Sequence, residues 1–558
     1  MLGVLLLLPL HLVVADEYDA LFKKMMDCNP STAAFAISAV KDGKLELNRA
    51  YGKANREKNI DVTNNTRFSI GSISKEFTGY MAGKQVLEGH YDWQEKITDI
   101  FAKKNVKMSM QGAFRNKTCT LEDAMTHRTG IKMHDWLLTD DRDISRSDWV
   151  TKFIPLFQEE LEMRSSFYYN NWFYTLVGYI VELFGGKSFE KQVKESIFDP
   201  LEMKQSCFVS DDEFDALSEK DFAQPYQEGE DRSTLYPVPK EAMKFIGIHN
   251  PAGGIISTAG DMAKFMIGVI DALNGEDGAV LSKDVMESIT EPKTLMGMQL
   301  GDSTLIEKPT FNATFKDSGY AYGHIIGTYR GYKYVNHGGS TYGHYSLITV
   351  IPSLKIGVFT VISGNNYKNT NMWRMQKPMQ IYMLDKLMKQ DVWLDAENAC
   401  TFPKPWIGEN TDTFEGAKRK VEEEIVDKPL SVEEAEYVTG NYSNPVYPTM
   451  KLKLEDSQLK FEMGNSNGTI IRTPGENENR LKIILNMPVD PLNLPEKEKM
   501  VAYLIYPTAP LTANKVENLE FEMGQERYQF TRNGSDTHHL SVFLVIGAFI
   551  IKLLSNNC

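Results

Sequence analysis

The sequence predicts an α/β (α+β) chain in two parts, a large mixed unit followed by a small all-β one. Three observations carry this. One apolar hairpin opens the chain near residue 33, and a second closes the mixed region near residue 362, with a helix-rich stretch between them. From about 435 to 531 short strand-like segments recur, separated by turns. Strands at both ends of a helical region imply one sheet built from distant segments.

The first hairpin reads directly. Ala33 to Val40 is an apolar run, Asp42-Gly43 is a turn signal, and Leu45 and Leu47 alternate after it. Late in the mixed unit, Tyr345 to Ile351 and Ile356 to Ile362 flank a turn at Pro352-Ser353, and a helix pattern runs from Met372 to Met388. This unit spans 16–395. Residues 396–432 read as a linker: Pro403, Pro405 and Gly408 precede a charged run through Glu422-Glu423-Glu424. Strands are expected at 450–454, 459–463, 469–472, 481–485, 500–506 and 519–523. Such spacing indicates a small sandwich or barrel over 433–532.

A chain of 558 residues is too long for one ordinary core, which agrees with the division. The formal net charge is −14 and no Lys/Arg cluster reverses it locally, so nucleic acid is excluded as a partner. No cysteine pair has CxxC spacing and no His–Cys cluster suggests zinc; no metal or cofactor is expected.

Both ends carry apolar runs. Residues 1–15 read as a signal peptide, with Val13-Val14-Ala15 as a small-residue cleavage site. Sequons at Asn64, Asn116, Asn312, Asn441, Asn467 and Asn533 agree with passage through the secretory pathway to the extracellular side or cell surface. There Cys28, Cys119, Cys207 and Cys400 could pair in three ways. In the tail, 533–558, an apolar run from Leu540 to Leu554 follows Asn533-Gly534-Ser535. It reads as a membrane attachment, either a lipid-anchor signal or a short membrane anchor.

The chemistry centres on S-x-x-K, which occurs at Ser38/Lys41, Ser72/Lys75, Ser188/Lys191 and Ser457/Lys460. In a strand, i and i+3 point to opposite faces, which disqualifies Ser38 and Ser457. Ser72 precedes a helical pattern, where i and i+3 share a face. A helix N-terminus favours a developing alkoxide, and a buried Lys75 has a lowered pKa that lets it take the serine proton. Ser188/Lys191 lies in a charged stretch and reads as a solvated face. A second element, Phe167-Tyr168-Tyr169-Asn170-Asn171, opens a strong helix. Tyr168/Asn170 and Tyr169/Asn171 both present a phenol and an amide two apart. A third, Asn336-His337-Gly338-Gly339-Ser340, precedes the late hairpin. Its glycines let a substrate lie close to an edge strand, with a backbone N–H for an oxyanion.

S-x-x-K, Y-x-N and H-x-G in this order resemble the class C β-lactamase and D-Ala-D-Ala carboxypeptidase superfamily. Further phrases agree: Ala124-Met125-Thr126-His127-Arg128-Thr129-Gly130-Ile131; Asn250-Pro251-Ala252-Gly253-Gly254-Ile255 with Ser257 and Asp261; and Tyr322-Gly323. The resemblance implies a β-lactamase-like domain, with antiparallel sheet and helical subdomain, followed by a lipocalin-like β unit. It also selects Tyr169 and Asn171, because the family's Asn is followed seven residues later by Gly, as Asn171 is by Gly178. By carry-over Ser72 is the nucleophile, Lys75 and Tyr169 share acid–base work, and Asn171 orients the substrate amide. The N–H groups of Ser72 and Ser340 would form the oxyanion hole.

The chain departs from the penicillin-recognising members, which have Lys-Thr-Gly where it has His337-Gly338-Gly339. A neutral histidine forfeits the attraction for a substrate carboxylate, and acidification toward pH 6 is expected to restore it. The resemblance thus implies a serine hydrolase for a peptide or small acyl substrate, not primarily a penicillin-destroying enzyme. The competing class is a catalytically weak or inactive receptor or scaffold at the cell surface.

Overall fold

A computed structural model describes residues 10–135, 137, 140, 142–229, 231, 233–296, 315–364, 375–401, 430–472, 479–488, 490, 499–506, 515–523 and 526–533. They fall into two compact units. The first begins with α1 (Leu10–Asp27), β1 (Thr32–Lys41), β2 (Lys44–Asn55) and β3 (Ile60–Asp61). Helices α2 (Ser74–Leu87), α3 (Asn171–Gly185) and α4 (Ala259–Asn274) follow among shorter helical turns. Strands β4 (Thr294–Leu295), β5 (Phe315–Tyr320), β6 (Ile325–Tyr329), β7 (Tyr332–Ser340), β8 (His344–Ile351) and β9 (Ile356–Gly364) precede α5 (Gln376–Met388).

These strands make one nine-stranded sheet in the order β3-β2-β1-β9-β8-β7-β6-β5-β4. Every pairing is antiparallel. Distant segments close it, since Ala36 on β1 faces Val361 on β9. The first turn forms as expected: Asp42 and Gly43 both take positive φ, the conformation a two-residue hairpin needs. β1, β8 and β9 are buried on both faces, which explains their unbroken apolar runs. On one face Leu21, Phe22 and Met25 of α1 and Met379, Ile381 and Met383 of α5 pack with Phe35, Val358 and Ile362. On the other, α4 lies across β1 and β9.

α2 is buried almost all round, including Ser74, Lys75, Glu76, Phe77 and Thr78. A helix so enclosed is a core element rather than a surface one. α3 is capped at both ends: Asn170 Oδ1 accepts from Trp172 N–H at 2.9 Å, and Gly186 takes the left-handed conformation.

The second unit is a closed antiparallel barrel of eight strands: β10 (Gly440–Ser443), β11 (Met450–Glu455), β12 (Gln458–Met463), β13 (Ser466–Ile471), β14 (Arg480–Asn486), β15 (Val501–Ile505), β16 (Asn518–Met523) and β17 (Glu526–Arg532). Burial alternates along β12 and β14 with period two. Leu459, Phe461, Leu481, Ile483, Phe521 and Phe530 are buried, so the inward face carries the apolar set.

Cys28 and Cys400 form a disulfide, with Cα atoms 5.9 Å apart. The other two cysteines considered for pairing stay buried thiols. Cys119 sits near Asp123 and Arg164, whereas Cys207 lies in a short strand against Ile256. Ser457, read from sequence as a strand residue, is in the β11–β12 turn with φ of 62°. Among the described residues no helix is long and apolar enough to cross a membrane. The apolar run Leu540–Leu554, the greater part of the linker, Asn312 and residues 1–9 lie outside them. Asn64, Asn441, Asn467 and Asn533 are exposed, and Asn116 is half-buried.

Candidate active site

Ser72 sits in a short 3-10 turn, Gly71–Ile73, that runs straight into α2. It caps nothing with its side chain; Ser74 Oγ instead donates to Gly71 O at 2.7 Å. The turn is anchored from three sides. Ser69 N–H donates to His344 Nδ1 at 3.0 Å, Ile70 N–H to Ile255 O at 3.0 Å, and Ser346 Oγ donates to Ile70 O at 2.7 Å. Gly71 has φ of +52°, and a Cβ there would stand 2.7 Å from Ser340 N. Glycine is therefore required both by the backbone and by the approach of β7. A Cβ on Gly339 would overlap Ile70 O.

Lys75 follows one turn on. Its Nζ lies 3.0 Å from Ser72 Oγ, 2.8 Å from Asn171 Oδ1 and 2.7 Å from Ala252 O. Burial holds its pKa well below the ordinary lysine value, opposed in part by Asp135. Its Nζ is also 4.8 Å from the Tyr169 ring centroid. The Tyr169 phenol is a hydrogen-bond partner of Ser72, and burial raises its pKa, so it stays protonated at neutral pH. Tyr169 and Asn171, not Tyr168 and Asn170, thus join Ser72 and Lys75. Asn170 is the cap of α3, and its Nδ2 donates to Ile131 O at 3.0 Å and Lys132 O at 2.9 Å. Gly178 explains the seven-residue spacing: a Cβ there would overlap Pro251, so only glycine lets α3 approach the segment carrying Ala252 O.

His337, Gly338, Gly339 and Ser340 end β7. That strand is internal to the sheet, between β6 and β8. Its pairing with β6 stops at Asn336, however, so 337–340 run past the end of β6 toward the Ser72 turn as a local edge. His337 is 3% exposed. Its Nδ1 is 2.6 Å from Gly338 O and its Nε2 is 3.0 Å from the Tyr320 hydroxyl. A carbonyl only accepts, so Nδ1 carries the proton and Nε2 accepts from Tyr320. Burial, with Lys75 second, pushes the His337 pKa down to about 3. Burial thus disfavours the charge expected near pH 6, and that burial has no mark in the sequence.

Of the other S-x-x-K serines, Ser188 caps a helix, accepting from Lys191 N–H at 3.2 Å, and Ser38 is buried in β1. Asp261 binds structure rather than substrate: its Oδ2 accepts from Gln205 N–H at 2.7 Å and Ser206 Oγ at 3.0 Å. Sequence reading missed three contributors. Ala252 O holds Lys75. His127, inside a phrase already singled out, packs 4.3 Å from the Tyr169 ring and accepts from Asn170 N–H at 3.0 Å through Nδ1. Asp135 accepts from Asn171 Nδ2 at 3.3 Å. No sequence signal marked Asp135.

Fold and comparisons together define an enzyme of the serine-hydrolase type. The chain belongs to the beta-lactamase family, whose model matches residues 18–375. It is similar to Gigasin-6 of Magallana gigas, at 33% identity over 262 residues, covering 46% of this chain and 82% of that protein. It is also similar to unguisins hydrolase ungD' of Aspergillus campestris, at 26% identity over 342 residues, or 60% of this chain. It spans only 59% of that relative's length. The solved penicillin-binding protein homologue from Pyrococcus abyssi shares the fold, with a TM-score of 0.51 at 20% identity over 93% of this chain and all (100%) of that one.

Proposed function

We propose that the protein hydrolyses an amide or ester of a peptide or small acyl substrate through an acyl-enzyme on Ser72. The observation that carries this is the set of three contacts at Lys75 Nζ. Asn171 Oδ1 and Ala252 O can only accept, so they take two N–H bonds. A neutral amine then has no hydrogen left and directs its lone pair at the Ser72 hydroxyl. The lowered pKa of the buried amine favours that neutral form.

In this reading Ser72 Oγ attacks the carbonyl carbon as its proton passes to Lys75 Nζ. The N–H groups of Ser72 and Ser340 stabilise the oxyanion. The proton reaches the leaving nitrogen or oxygen by way of the Tyr169 phenol as the scissile bond breaks. Water then adds to the acyl carbon, giving its proton to the same pair, and Ser72 leaves. Asn171 orients the acyl side of the substrate. Penicillins are poor substrates because the neutral His337 supplies no cation for their carboxylate. The Cys28–Cys400 disulfide supports an extracytoplasmic setting, since such bonds persist in oxidising compartments.

The test is turnover of a neutral activated ester by the full chain. Ser72→Ala should abolish it and Ser188→Ala should leave it intact. Undiminished turnover by Ser72→Ala would refute the nucleophile.

A further inference from the structure

Tyr169 lies on the short segment 167–170, which precedes α3 and belongs to no helix or strand. Regular secondary structure therefore does not fix its phenol, and the backbone groups on either side need partners elsewhere. One residue supplies them. The carbonyl oxygen of His127 accepts from Tyr168 N–H at 2.7 Å, and its Nδ1 accepts from Asn170 N–H at 3.0 Å. His127 thus holds the chain immediately before and immediately after Tyr169. Its ring also packs on the Tyr169 ring, with centroids 4.3 Å apart and planes 33° from each other. Phe167 and Tyr320 flank the imidazole at 5.3 and 4.8 Å.

Two features of His127 would be unfavourable in a residue kept for packing alone. Its φ is 58°, a conformation uncommon outside glycine. It is also buried, and because Nδ1 accepts, the proton of the neutral ring is on Nε2. Burial, with Lys75 and His337 adding to it, keeps the ring neutral. Among the described residues Nε2 has no hydrogen-bond partner. A purely apolar ring would leave no buried N–H unpaired. What the imidazole adds to such a ring is the Nδ1 acceptor.

We propose that His127 is a positioning residue that sets the Tyr169 phenol on Ser72, through the two hydrogen bonds that flank Tyr169 and the ring packed against it. This rests on the reading of Ser72 as nucleophile and of Tyr169 as its acid–base partner. His127 acts through Tyr169 rather than on the substrate, so its effect should vanish when the phenol is absent.

The experiment measures kcat and KM for a neutral activated ester on the full chain, for His127→Phe and His127→Asn, each with Tyr169 intact and with Tyr169→Phe. Phenylalanine keeps a ring and loses the acceptor. Asparagine keeps an acceptor two bonds from Cβ, as Nδ1 is, and suits the positive φ. His127→Phe should lower kcat about tenfold or more and leave KM within about twofold, because acid–base help depends on the placement of the phenol. His127→Asn should stay within about fivefold of wild type. Beside Tyr169→Phe, His127→Phe should cost less than about twofold further, since the two residues act as one unit. If circular dichroism and melting show that His127→Phe does not fold, His127→Gly takes its place: it suits the φ and lacks the acceptor. Full kcat in the acceptor-less variant would overturn the proposal. So would an equal loss with and without the Tyr169 hydroxyl, or a folded His127→Asn as slow as the acceptor-less variant. Tyr169→Phe alone separates the two claims. If it leaves kcat unchanged, the acid–base reading beneath is wrong; if it slows turnover while the acceptor-less variant does not, this inference alone fails.

Discussion

Lys75 Nζ lies 3.0 Å from Ser72 Oγ with its other two polar contacts made to carbonyl oxygens, of Asn171 and Ala252. These partners come from the turn that precedes α2, the start of α3 and the segment before Ile255. Their convergence depends on the close packing of α3 at Gly178 and on the burial of α2.

The first prediction concerns the acid–base pair. Lys75→Met removes the amine but keeps its apolar stem, and Tyr169→Phe removes one hydroxyl. Each should lower kcat for a neutral ester by about 10²–10⁴-fold, the usual range for losing general acid–base help. Tyr168→Phe should change it less than a few fold, because the phenol bonded to Ser72 is that of Tyr169. A crippled Tyr168→Phe beside a neutral Tyr169→Phe would reverse the assignment.

Helix approach gives a second. Gly178→Ala places a methyl on Pro251, and overpacking of this kind typically costs about 1–3 kcal/mol. Both the unfolding free energy and the ester turnover should fall, since the displaced segment carries Ala252 O. A stable variant with full activity would show that α3 and this segment can separate without disturbing Lys75.

Five of the six buried histidines among the described residues set the acid limit. Burial is the first cause in every case: His134, His249, His337 and His344 are pushed to about 3, and His127 well below its ordinary value. The unfolded chain, with histidines near 6.5, binds more protons than the folded one below that pH. Stability is therefore present above about pH 6.5 and is lost as pH falls toward 3, by up to about 1.4 kcal/mol per histidine per pH unit. The melting temperature should fall steeply between pH 6.5 and 5. Over pH 8 to 6.5, the ratio of carboxylate to neutral substrate turnover should show no titration of His337. A flat melting profile would mean that these rings are wetter than their packing indicates.

Much of this organisation is legible in the sequence. Both hairpins, the barrel strands from 450 to 523 and the Ser72/Lys75 pair carry local signals (turn residues, alternation, or a helix start), whereas the choice of Tyr169/Asn171 over Tyr168/Asn170 rests on the family resemblance. The strands that close the barrel, Gly440–Ser443 and Glu526–Arg532, carry no such signal, since one is short and the other mixes charge with aromatics. β5 and β6 were also missed; Lys316, Asp317 and Gly319 break the alternation of the first. At the site, His337 was seen but its dryness was not, because Tyr320 reaches it from another strand. Asp135 is marked only by its meeting with Asn171, 36 residues away.

The cysteines offer a check on the fold that is independent of catalysis. Cys119 and Cys207 are buried, Cys119 with its thiol pKa raised mainly by burial and Cys207 pushed up to about 12. Neither should alkylate in the native chain, and both should do so after denaturation without reductant. Cys28 and Cys400 should alkylate only after reduction. Removing their bridge by Cys28→Ser should cost on the order of 2–4 kcal/mol. Rapid native alkylation of Cys119 or Cys207 would contradict the packing around them.

Intact mass after exposure to a fluorophosphonate, on wild type and Ser72→Ala, tests Ser72 as the nucleophile. Wild type should carry one adduct per chain, located by proteolysis on the peptide containing Ser72, and the variant none at the same probe concentration. Equal labelling of both proteins, or an adduct on another serine, would contradict it.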